Sequence, residues 1–153
     1  MLKVEIYEGP RDALAWLFAE ADDSEGQIRE YRDLGEVLVA SSAGTIVGHA
    51  QVVATDEPGV LELKSLAVDE PWRSRGVGSA LVEAAFDHCR AQGARLLLVA
   101  TAAASIDALR FYQRLGFRIR HVVRDFYSPE RGYRPLELNG IPLRDEVILD
   151  RSL

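Results

Sequence analysis

Six consecutive residues, Arg73-Ser74-Arg75-Gly76-Val77-Gly78, are the part of this sequence best suited to chemistry with a polyanion. Glycines let a backbone approach a ligand closely, and a helix beginning there offers unpaired N–H groups at the positive end of its dipole. Arg73 and Arg75 add formal charge beside those amides, which suits a phosphate or pyrophosphate. Two familiar phosphate motifs do not fit. A Walker A loop ends in Gly-Lys-Ser/Thr, but Gly78 is followed by Ser79 and Ala80. A dinucleotide fingerprint needs an acidic residue about 20 positions on, where this chain reads Leu96-Leu97-Leu98-Val99.

Other residues with chemical potential are scattered. Glu62, Lys64, Leu66 and Val68 share one face of an extended segment by the period of two, which offers a carboxylate as a proton acceptor. His49 and His121 are reserve bases, because an unperturbed imidazole titrates near neutrality. His88 falls on the apolar face of a helix, and the lone Cys89 has no activating partner and reads as a small core residue. No group of His, Cys, Asp and Glu has metal-ligand spacing, so no metal is expected. Arg110 and Arg114 sit four apart on a helix, and Arg118, Arg120 and Arg124 fall on one strand face. A net charge of −6 (18 basic, 24 acidic) argues against a role on nucleic acid.

These residues must be positioned by the elements that carry them. Val4 to Tyr7 alternates as a strand, Pro10 opens a helix, and Ser24 starts a second helical stretch to about Leu34. Val37 to Ala40 and Thr45 to Thr55 form a hairpin turned at Gly44, and Val60 to Val68 is the next strand. Gly76 to Arg90 is helical, Leu96 to Ala100 is a buried strand, Ser105 to Leu115 is a helix and Phe117 to Arg124 a strand. Residues 125–143 make a long irregular loop carrying Phe126, Tyr127, Tyr133 and Arg134, and Glu146 to Leu149 is the last strand. At 153 residues, without repeat or linker, the chain reads as one domain over 1–153. Its apolar runs are too short to span a membrane, its N-terminus lacks a signal-peptide pattern, and one cysteine suits a reducing cytoplasm.

The order Leu66-Ala67-Val68, Pro71, then Arg73-x-x-Gly76-x-Gly78, followed about thirty residues later by Ala108-Leu109-Arg110-Phe111-Tyr112-Gln113-Arg114-Leu115-Gly116-Phe117, resembles the Gcn5-related N-acetyltransferase (GNAT) family. The resemblance covers residues 1–124 as a fold and 60–117 as motifs. It implies an α/β fold with a single mixed, mostly antiparallel sheet flanked by helices on both faces. It implies acetyl-CoA as cosubstrate, its pyrophosphate held by Arg73, Ser74, Arg75, Gly76, Val77, Gly78 and Ser79. The preceding strand would splay from its neighbour so that the backbone of Leu66, Ala67 and Val68 pairs with pantetheine. Tyr112 resembles the tyrosine that protonates the departing sulfur, and Glu62 stands where relatives often carry the base, acting directly or through water. Relatives commonly place an asparagine before the tyrosine-bearing helix. This chain has Thr101-Ala102-Ala103-Ala104-Ser105, which leaves Ser105 as a helix cap or cofactor contact.

The expected activity is transfer of an acetyl group to a primary amine of a small molecule or protein. The alternative is a non-catalytic acetyl-CoA-binding or sensing module. An unpaired last strand would leave room for a homodimer.

Overall fold

The computed structural model describes residues 1–153. Thirteen strands and α-helices follow in chain order: β1 (Leu2–Ile6), α1 (Ala15–Ala21), α2 (Glu25–Tyr31), β2 (Glu36–Ser42), β3 (Thr45–Ala54), β4 (Val60–Val68), α3 (Val77–Ala91), β5 (Leu96–Ala102), α4 (Ile106–Arg114), β6 (Arg118–Val123), β7 (Glu137–Leu138), β8 (Ile141–Pro142) and β9 (Glu146–Ser152). A seven-stranded sheet in the order β1-β2-β3-β4-β5-β9-β6 carries α1 and α2 on one face and α3 and α4 on the other. Only β4 and β5 pair in parallel; the other neighbours are antiparallel. This is the mixed, mostly antiparallel sheet flanked on both faces that the family resemblance implies. No helix is long and apolar enough to cross a membrane.

Local chemistry sets the element ends. The Ser24 hydroxyl accepts a hydrogen bond from the Gln27 N–H and caps α2. Ala43 (φ 51°) and Gly44 (φ 82°) turn the β2–β3 hairpin. Pro10 leads into a 3-10 turn, Arg11–Leu14, before α1 begins. Leu81, Val82, Ala85 and Phe86 of α3 are fully buried and lie with Leu63, Val99 and Leu149 in the larger core. Leu14, Leu17, Phe18, Ile28 and Tyr31 form a smaller core on the opposite face.

Three expectations are revised. Residues 125–143 are not wholly irregular, because Asn139 (φ 55°) and Gly140 (φ 74°) turn a short β7–β8 hairpin. The last strand is not unpaired. β9 lies between β5 and β6, so the sheet edges are β1 and β6, and the expected basis for a homodimer is gone. Glu62 and Lys64 also do not share a face with Leu66 and Val68. Val52 pairs with Leu63 and Gln51 with Ser65, so Lys64 is an extra residue, a β-bulge. Beyond it Leu66 and Val68 pack towards α3, whereas Lys64 places its ammonium 5.0 Å from the Tyr31 ring of α2.

The α1–α2 layer is anchored by Gln51 of β3. Its buried amide donates to the carbonyls of Tyr31 (2.7 Å) and Leu34 (2.9 Å) at the end of α2. Replacing it by leucine removes both bonds, while the Tyr31 carbonyl keeps the Leu34 N–H (3.0 Å) and the Leu34 carbonyl keeps Arg11 (2.9 Å), so the expected cost is about 1 kcal/mol. Gln51→Leu should therefore lower the urea midpoint with an unchanged m-value; an unchanged midpoint would show that α2 does not rely on this anchor.

Candidate active site

The bulge bends β4 away from β5, and the two part company. They pair from Val60–Leu96 to Leu63–Val99 and no further, although β4 continues to Val68 and β5 to Ala102. The direction of the freed peptide groups follows from the pairing on the other edge. Asp69 donates its N–H to the Val47 carbonyl at 2.8 Å, extending the register in which Ala67 faces His49. By antiparallel alternation the peptide groups of Leu66 and Val68 then point into the gap. The Arg73 guanidinium meets the Val68 carbonyl there (Nε to O 2.9 Å) and also reaches Glu20 of α1 at 2.9 Å.

A cleft of about 1140 Å3 opens from this gap on the α3–α4 face. Leu66, Ala67 and Val68 form one wall; Arg73, Ser74, Gly76, Gly78 and Ser79 form another; Ser105 and Tyr112 line the α4 side. The turn into α3 uses left-handed backbone at Ser74 (φ 62°) and Gly76 (φ 84°). The first helical bond there runs from the Ala80 N–H to the Gly76 carbonyl, so the N–H groups of Val77, Gly78 and Ser79 take no partner in the chain. Gly78 is needed for room: a Cβ there would stand 3.3 Å from the Phe111 ring. Free amides, an open wall and arginines make this cleft fit a pyrophosphate-bearing ligand.

Two of the expected cofactor residues present themselves differently from the rest. The Val77 side chain is buried in the core, leaving only its N–H to the cleft, and Arg75 does not line the cleft and instead stacks on Trp72 at 5.3 Å. Ser105 precedes α4 without making a capping bond. Arg110 and Arg114 line the cleft. Tyr112 is buried edge-on between Phe111 (5.1 Å) and Phe117 (5.5 Å), and its hydroxyl has no partner in the chain. Burial pushes this phenol up, so it stays protonated across the neutral range.

The opposite face of the gap is acidic and aromatic. Glu62 pairs with Lys64 at 3.8 Å, both partly buried. Asp22, between α1 and α2, accepts hydrogen bonds from the Tyr31 hydroxyl (2.9 Å), the Tyr133 hydroxyl (2.8 Å) and the Ser24 N–H (3.0 Å). Glu146 opens β9 opposite Ala102, past the last β4–β5 pair. Its neighbours Val147 and Leu149 belong to the α3-side core, so alternation turns Glu146 to the α1–α2 face. Only 8% exposed, its carboxyl has no hydrogen-bond or ion-pair partner in the chain. Burial pushes it up to about 7; Glu62 and Asp22 add to the rise, while Lys64 and Arg131 oppose it. Sequence reading missed Glu146 and Asp22, since neither lies in a motif.

The long loop crosses this region. Tyr133 is tied to Asp22, the Ser24 hydroxyl donates to the Arg131 carbonyl (2.9 Å), and the Asn139 amide donates to the Ala104 carbonyl (3.0 Å). Phe126, Tyr127 and Tyr133 pack on one another, whereas Arg134 is exposed. The reserve bases are poorly placed. His49 is fully buried against Ser65 (2.8 Å), and burial lowers it to about 3, so it stays neutral. His121 lies exposed on the edge strand β6, and His88 bonds Gln92 at 3.0 Å.

The model of the acetyltransferase (GNAT) family matches residues 4–117. An uncharacterized N-acetyltransferase of Bacillus subtilis is 32% identical over 148 residues, covering 97% of this chain and 94% of that protein. The solved structure of an IAA acetyltransferase from Bacillus cereus superposes with a TM-score of 0.91 at 30% identity, covering 100% of both chains. A Bacillus subtilis acetyltransferase solved in complex with CoA gives a TM-score of 0.91 at 31% identity, covering 100% of this chain and 99% of that one.

Gly78→Val puts its side chain into the cleft against Phe111 without forbidden backbone geometry. It is expected to raise the calorimetric Kd for coenzyme A about tenfold or more, equivalent to about 1.4 kcal/mol, with the melting temperature of the free protein little changed. Wild-type affinity would move the phosphate site away from this turn.

Proposed function

The chain belongs to the acetyltransferase (GNAT) family and is an acetyl-CoA-dependent acyltransferase, and from that premise we propose that it acetylates a primary amine of a small molecule. The observation that carries this reading is the gap beyond Leu63 and Val99, which separates two chemically different faces. On one side lie free amides and arginines suited to the coenzyme A phosphates. On the other lie the carboxyl groups of Glu62, Glu146 and Asp22, which attract a cationic amine. A small acceptor is favoured because the loop is tied at both ends, to Asp22 and Ser24 on one side and Ala104 on the other.

In this reading, pantetheine pairs with the peptide groups of Leu66 and Val68 and carries the thioester to the gap. A backbone N–H there polarises the carbonyl oxygen. An alkyl ammonium must first lose a proton, which costs roughly 4–5 kcal/mol at pH 7 from a pKa near 10.4. The carboxyl pair Glu62 and Glu146 is available to receive it, directly or through water. The neutral amine attacks the carbonyl carbon, a C–N bond forms, and the C–S bond breaks with its electron pair leaving on sulfur. Tyr112, protonated and without another partner, hydrogen-bonds the developing thiolate and supplies the proton that makes the free thiol.

Acetyl-CoA at about 100 times its Kd adds about 2.7 kcal/mol of stability. A chain of this length should then melt roughly 5–10 °C higher with acetyl-CoA or coenzyme A, but not with NAD or ATP. A panel of small primary amines should show acetyl transfer, and Tyr112→Phe should slow it about tenfold or more with little change in acetyl-CoA affinity. Binding without transfer to any amine would replace the enzyme reading with the sensing one. Unchanged turnover in Tyr112→Phe would remove the acid role.

A further inference from the structure

Glu62 and Glu146 both face the acceptor side, but their surroundings differ. Glu62 already has a cation, Lys64, at 3.8 Å, in a partly buried ion pair. Glu146 is more than nine-tenths buried, has no partner in the chain, and stands on the strand that faces the freed end of β5. Its carboxyl oxygens are not sealed off, so a carboxyl recessed in the fold and held by no donor of the chain is open to a group that brings one. The ammonium of an incoming substrate is such a group.

We infer that Glu146 is the residue that takes the proton from the attacking amine, with Glu62 and Lys64 setting its charge rather than performing the transfer. The inference rests on the amine-acceptor reading. The step balances simply: the ammonium gives one proton to the Glu146 carboxylate, leaving a neutral amine and a carboxylic acid. The amine then attacks the thioester carbon, and its second proton is lost to solvent once the C–N bond has formed. Substrate class follows from the same geometry. An acceptor must bring a cationic nitrogen to a recessed anion that faces Tyr127, whose ring packs on Tyr133, while the Tyr31 and Tyr133 hydroxyls are held by Asp22. That describes a slender primary amine with an apolar or aromatic body.

The groups facing Glu146 give the inference a signature. On β4, Glu62 raises its proton affinity and Lys64 lowers it; Asp22, from the α1–α2 turn, raises it, and Arg131, from the loop, lowers it. Tyr127 of the loop faces it as a neutral phenol. The carboxyl accepts a proton only when ionised, so kcat/KM for a fast amine should rise with pH through an inflection near 7.

The experiment is a set of pH–rate profiles on the full chain with acetyl-CoA and the best amine of the panel. Glu146→Gln should lose the inflection near 7 and about a hundredfold in rate. Glu62→Gln should move the inflection to lower pH and Lys64→Met to higher pH. Thermal melts supply a readout independent of turnover. A carboxyl raised by burial favours the folded state below pH 4.5 and loses that contribution as pH climbs towards 7. Glu146→Gln should therefore melt above the wild type at pH 8, with the difference closing towards pH 4.5. An active wild type in which Glu146→Gln keeps both the inflection and the rate overturns the Glu146 assignment alone. Equal melting at pH 8 shows that the carboxyl is not held as the geometry requires and likewise overturns it. A wild type that acetylates no amine overturns the amine reading and this inference together.

Discussion

The one constraint on which the rest of this structure depends is a missing set of sheet hydrogen bonds. A parallel pair such as β4 and β5, buried between two helical layers, would ordinarily run its full length, because unpaired peptide groups in an interior are costly. Here pairing stops after Leu63 and Val99, and the cause is local. One extra residue, Lys64, enters β4, bends it, and sends its far end along β3 only. The peptide groups of Leu66 and the Val68 N–H are left free on the wall of an open cleft, and the Val68 carbonyl accepts from Arg73.

The bulge also sorts side chains. Before it, Leu61 and Leu63 pack into the α3-side core, with Glu62 on the other face. After it, Leu66 and Val68 return to the α3 side, while Lys64 joins Glu62 and approaches Tyr31. A strand without the bulge would put every second residue on one face, and Glu62 would be aligned with Leu66 and Val68. The acidic face and the amide-bearing wall are thus products of the same inserted residue. Charge leans the same way: Arg73, Arg110 and Arg114 line the cleft against Glu20 and Asp107, and Glu62, Asp22 and Glu146 gather on the other side against Lys64 and Arg131.

What was legible in the sequence is what short range determines. The turn at Gly76 and Gly78 needs small residues where the backbone is left-handed or closely approached, so it is written in adjacent letters. The Ser24 cap, the β2–β3 hairpin and the buried run of β5 are legible for the same reason. The Asn139-Gly140 turn was also legible, as the pair that favours a two-residue hairpin, although the surrounding prolines read as irregular loop. Glu146 was not legible. Its importance arises because β9, last in the chain, inserts between β5 and β6, and no local pattern states that order. The bulge escaped for a related reason: β4 reads as an unbroken alternation, and only its register against β3 reveals the extra residue.

The fixed loop and the bent strand bear on each other through Asp22. This carboxylate accepts from Tyr31 of α2 and Tyr133 of the loop, so the α1–α2 turn and the loop share one anion. Tyr31 in turn lies beneath the Lys64 ammonium, the residue that makes the bulge. A chain of contacts therefore runs from the loop, through Asp22 and Tyr31, to the point where β4 turns away from β5. The proposed two-substrate chemistry thus rests on a single bent strand, whose backbone serves one face and whose charged side chains serve the other.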